Sequence, residues 1–169
     1  MAPSDILPTI AEISVAIVGF AGILFALGNQ SATANEKMNM FRIKIMVETG
    51  LLTTFLSLTP VLFLSIPILA PYTWRISSLM LAVLIPVYTL LSFHRQFRLV
   101  GNYIESKLDY TVMIVQFPTI VLLLMVAFEW GDVPHFGSYL FGLFFWLGIS
   151  MLMFVRIILD SVDVSQSGE

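Results

Sequence analysis

Cysteine is absent from the 169 residues, so disulfides, thiolate metal sites and thiol nucleophiles are all excluded. Charge is scarce as well. Only 11% of residues are charged, where an ordinary soluble chain carries roughly a quarter, and the eight Lys and Arg are outnumbered by eleven Asp and Glu. A net charge of −3 without a basic cluster gives no support for nucleic-acid binding. The two histidines stand at positions 94 and 135, so an intramembrane histidine pair for haem is missing. Also missing are a Gly-rich phosphate loop, a GxSxG elbow, an HExxH pair and an aspartate-rich motif. The chain therefore reads as no enzyme, and no cofactor is expected.

What remains is apolar. Hydrophobic residues make up 58% of the chain and the mean hydropathy is +0.93, which puts it in the membrane class. Five helix-length runs cover approximately residues 6–28, 43–69, 76–97, 111–130 and 136–159, and the polar stretches between them leave no room for a second, soluble domain. The expected fold class is all-α, a polytopic transmembrane helix bundle forming one integral membrane domain over 1–169. Residues 6–28 alone reach roughly 33 Å as a helix, enough for a hydrocarbon core of about 30 Å. The alternative is four spans, with the first segment lying flat.

Sidedness follows from the basic residues, which collect in cytoplasmic loops. Lys37, Arg42 and Lys44 fall in the first connection, Arg95, Arg98 and Lys107 in the third, and Arg156 beside the tail, leaving only Arg75 on the other side. The amino terminus is expected outside and the carboxy terminus inside. The opening stretch has Asp5 and Glu12 where a secretory signal has basic residues. Although Ala32-Thr33-Ala34 has the small-x-small form of a cleavage site, cleavage there would leave Lys37, Arg42 and Lys44 outside, so segment one is read as retained. A cell membrane, of the prokaryotic inner-membrane kind, is the expected location.

Segment one places a carboxylate, Glu12, on a helix whose broad small-residue face includes Ala11, Gly19, Gly22 and Ala26. Such a face lets backbones approach and is expected to pack another transmembrane helix. Glu12 lies roughly 9 Å inside the outer end of its segment, level by count with Ser57, Thr59 and Pro60 of segment two. Since Pro60 has no N–H for the carbonyl of Leu56, a protonated Glu12 is a candidate donor to that oxygen.

Glu48 occupies the other leaflet, level with Tyr88, Gln116 and Arg156, and an ion pair joining segments two and five is expected there, with Lys44 one turn away. Between the carboxylates runs a hydroxyl line, Thr53, Thr54 and Ser57. His94, Arg95 and Arg98 are expected to meet lipid headgroups. Glu129, Asp132 and His135 have metal-ligand chemistry, but Gly131 and Pro134 break any helix that would align them, so no metal is expected.

Two functions fit these residues. The first is a small non-catalytic membrane protein, an oligomeric scaffold or a subunit of a membrane complex, with the lipid bilayer and either its own copies or other membrane subunits as partners. The second is a small oligomeric ion channel or proton pathway using Glu12 and Glu48.

Overall fold

A computed structural model describes residues 3–27, 34–100 and 107–166, so the loop of the cleavage-like Ala32-Thr33-Ala34 and the Gly101-Asn102 break lie largely or wholly outside the described residues. The described residues form five α-helices: α1 (Pro3–Leu27), α2 (Ala34–Leu64), α3 (Thr73–Val100), α4 (Lys107–Ala127) and α5 (His135–Gln166). A short 3-10 turn, Ala70–Tyr72, precedes α3. Among the described residues there is no strand. The protein is a helical membrane bundle.

Four of the helices are long and apolar enough to cross a membrane, over Asp5–Ala26, Met40–Leu64, Ala70–Gln96 and His135–Ile158. The shorter apolar stretch belongs to α4, Ile114–Ala127, and not to the first segment that a four-span count would lay flat. α4 opens with Lys107 and Asp109, and in the sequence its apolar run begins at Thr111. It nevertheless runs back along α3, from Gln116 beside Thr89 to Ala127 beside Arg75.

Several boundaries move from their expected places for local reasons. α2 stops at Leu64 because Pro67 has no N–H to offer Phe63, whose carbonyl accepts the Ile66 N–H at 3.1 Å in a tighter turn. Its start moves out to Ala34, because the helix continues beyond its apolar stretch through residues that tolerate a helix well. α4 ends in a left-handed residue, Glu129 at φ 56°, with Trp130 N–H bonded to Met125 O at 2.8 Å and Glu129 N–H to Val126 O at 3.3 Å. This is the Schellman pattern, with a glutamate where glycine is usual.

The interior is unlike that of a water-soluble protein. Thr49, Thr53, Ser57, Ser77, Ser78 and Thr119 are fully buried, while Phe55 is 78% exposed, Ile68 82% and Leu90 70%. Hydroxyls inside and large apolar side chains outside suit a hydrocarbon solvent, where each polar group must be satisfied within the protein. Most of these hydroxyls achieve this by donating to carbonyls one turn back, as Thr53 does to Thr49 O at 2.8 Å and Thr119 to Val115 O at 3.0 Å, whereas Ser77 and Ser78 have no partner among the described residues.

α2 is the central helix, packed against α1, α5 and α3. One apolar cluster joins Leu7, Ile10, Leu56, Leu81, Ile85, Leu123, Tyr139, Leu143 and Trp146, and a second joins Ile17, Ala21, Ile43, Met46 and Ile157 at the opposite end. Two glycines permit the closest contacts. A Cβ at Gly50 would lie 2.6 Å from Val18 Cγ2 and 3.4 Å from the Ser14 carbonyl, and one at Gly142 would lie 2.6 Å from Leu81 Cδ2. Gly50 therefore sets the α1–α2 approach, and Gly142 the junction of α5 with α3 and α4.

Candidate functional site

The two faces of α1 differ sharply. Leu7, Ile10, Ala11, Ser14, Ile17 and Ala21 are buried, an alternating three- and four-residue spacing that forms a seam against α2. Roughly opposite lies a second set at similar spacing, Glu12, Val15, Gly19, Gly22 and Ala26, and all of these are exposed. A Cβ added at Gly19 or at Gly22 would meet nothing within 4 Å. The small-residue face expected from sequence is thus divided: Ala11 packs within the protomer, and Gly19, Gly22 and Ala26 face outward.

Glu12 belongs to the outward set and has no hydrogen-bond or ion-pair partner among the described residues. The anticipated bond to Leu56 is not formed. The Tyr139 hydroxyl takes that place, donating to Leu56 O at 2.6 Å from the buried side, because α5 rather than α1 reaches the proline break. Tyr139 is held edge-on by Trp74, with ring centroids 6.1 Å apart. Sequence reasoning passed over it, although a tyrosine in an apolar run, near in depth to a proline on another segment, is a readable signal.

Glu48 sits at the opposite end of the bundle in a polar knot. Arg95 Nη1 donates to both of its carboxylate oxygens, at 3.0 Å and 2.8 Å, and the Tyr88 hydroxyl donates to Oε2 at 3.0 Å. Lys44 Nζ stands 4.0 Å from Oε1. The pair thus ties α2 to α3, where sequence counting had suggested α5 through Arg156. Arg156 is half-buried on α5. The α2–α5 link is made by hydroxyls: Thr49 donates to Ile45 O at 2.7 Å, so its 2.6 Å contact with Ser150 uses the Ser150 proton. Gln116 accepts from Thr89 at 3.0 Å and joins α4 to α3.

The hydroxyl line does not gather into one lining. Thr54 donates to Gly50 O at 3.0 Å, Ser57 to Thr54 O at 2.9 Å and Thr59 to Phe55 O at 2.8 Å, each bond spent on its own helix. Of the residues expected to meet headgroups, His94 and Arg98 are exposed, and Arg95 pairs with Glu48. At the far end Glu129 pairs with Arg75 at 3.1 Å, and Arg75 Nε also reaches Ala127 O at 3.5 Å, so the arginine caps the end of α4. No group of three or more His, Asp or Glu able to hold a metal forms among the described residues.

Comparison with protein families, curated proteins and solved structures finds no match to this chain.

Proposed function

We propose that the protein is a non-catalytic integral membrane subunit or scaffold that docks another transmembrane helix through the outward face of α1. The observation that carries this reading is the open seam of Glu12, Val15, Gly19, Gly22 and Ala26, with no atom near either glycine. Lipid tails solvate apolar side chains as well as protein does, so small residues in a row favour association by letting two backbones come close. Exposed Glu12 strengthens the case, because a carboxyl facing hydrocarbon is costly and a partner helix removes that cost. The partner is a second copy of this chain or another membrane subunit. The lysines and arginines gathered toward the Glu48 end support a reading with that end on the cytoplasmic side and the amino terminus outside, in a cell membrane of the prokaryotic inner-membrane kind.

One observation keeps an oligomeric ion or proton pathway as a second reading: Glu12 has no partner among the described residues and lies on the face that would meet other copies. The same reading loses Glu48, whose carboxylate is paired with Arg95, and loses the hydroxyl line, whose Thr53 and Ser57 are buried and whose hydroxyls bond their own helix.

Mass measurement of the protein in mild detergent, alone and after co-purification from its own membrane, tests the proposal. The native chain is expected as an oligomer or hetero-complex, and Gly19→Leu with Gly22→Leu is expected to release a folded monomer. A monomeric native protein, or a leucine variant that assembles as before, would overturn it. Proton flux into liposomes that disappears with Glu12→Gln while assembly persists would favour the pathway.

A further inference from the structure

The Glu48 knot is electrostatically unfinished. Arg95 spends a single nitrogen, Nη1, on both carboxylate oxygens, leaving Nε and Nη2 without a partner among the described residues. Lys44 touches Oε1 only at 4.0 Å, and its side chain is 60% exposed against 27% for Glu48. Two cations therefore flank one carboxylate, and the Tyr88 hydroxyl holds that carboxylate from below. Tyr88 lies two turns, or roughly 10 Å, deeper along α3 than Arg95. Lys44 and Arg95 are both exposed, so each keeps donors open beyond those it turns to Glu48. They also lie at the ends of their apolar stretches, Arg95 beside the close of Ala70–Gln96 and Lys44 within the first turns of Met40–Leu64.

The geometry points to a phosphate-binding site between Lys44 of α2 and Arg95 of α3, filled by a phosphate ester of the kind an anionic lipid headgroup carries. Guanidinium donors in a fixed fork match phosphate oxygens, and an ammonium on a flexible stem closes the other side as a point charge. The depth suits a headgroup, since basic groups at the cytoplasmic boundary meet the anionic leaflet. Glu48 acts as the internal counter-ion. It orients Arg95 when the site is empty and opposes the incoming anion when it fills. This assignment differs from a diffuse basic surface, because it uses Lys44 and Arg95, which share Glu48, and not Arg98, which is exposed one turn along and makes no ion pair with Glu48.

Native mass spectrometry of the full chain in non-ionic detergent, titrated with phosphatidylglycerol, phosphatidylcholine and inorganic phosphate, tests the site. Phosphatidylglycerol is expected to bind in preference to phosphatidylcholine. Lys44→Gln is expected to weaken it about fivefold, Arg98→Gln to leave it nearly unchanged, and Glu48→Gln, which removes the opposing charge, to strengthen it about fivefold. If millimolar inorganic phosphate displaces the lipid with the same dependence on Lys44, the ligand is phosphate in either form, and if it does not, the ligand is lipid-borne. Equal losses for Lys44→Gln and Arg98→Gln would mean diffuse attraction and overturn the site, as would weaker binding in Glu48→Gln.

Discussion

Tyr139 on α5 donates its hydroxyl to the carbonyl of Leu56 on α2 at 2.6 Å, the oxygen that Pro60 leaves without a helical partner. A proline in mid-helix normally costs the helix one bond, and here the bond is restored from another helix inside a fully buried contact. The repair ties the depth of α2 to that of α5 here, as the Thr49–Ser150 contact does elsewhere along the same pair of helices.

Tyr139→Phe is therefore expected to destabilise the bundle by about 1–3 kcal/mol, the usual consequence of stranding a buried polar group. In a Pro60→Ala background the restored N–H can bond Leu56, so the same substitution should lose less. Thermal unfolding of the four proteins in one detergent measures this coupling, and additive losses would show that Tyr139 acts through packing alone.

Glycine substitutions are expected to divide by position. Gly50→Ala drives a Cβ to 2.6 Å from Val18 Cγ2, and Val18 is β-branched and stiff, so α1 and α2 must part at a cost of about 1–3 kcal/mol. Gly142→Ala meets the ends of Leu81 and Leu123, which can rotate, and should cost less. Gly19→Ala and Gly22→Ala find open space and should leave the protomer as stable as before. Melting temperatures of the four variants check the order.

Glu12→Gln keeps size and hydrogen-bonding capacity but cannot ionise. If α1 docks through a neutral hydrogen bond, assembly measured by mass in detergent should survive this change and weaken with Glu12→Leu. If an ion pair with a partner subunit holds the seam, both substitutions should dissociate it.

Glu129 occupies a left-handed position at φ 56° in exchange for a 3.1 Å pair with Arg75. The glutamate side chain is 54% exposed, so the pair contributes at most about 1 kcal/mol, comparable with the strain of the conformation. Glu129→Gly should thus leave the melting temperature unchanged or slightly raised. Glu129→Val loses the pair, keeps the strain and should lower it.

Composition and hydropathy alone determined the class of this protein, because an apolar helix-length run has few stable homes other than a bilayer. The location of the prolines, of Glu12 among small residues and of Glu48 beside Lys44 was equally legible, being local in the chain. Helix rotation and neighbour choice were not. Glu48 had several polar groups level with it, and only packing selected Arg95 and Tyr88 over Arg156 as its close partners. Ala11 and Gly19 share a broad small-residue face by count, yet the close approach at Gly50 turned one toward α2 and left the other outside. Depth follows from counting residues along a helix, whereas the direction a side chain faces depends on contacts between segments far apart in sequence, and those exist only once the bundle has formed.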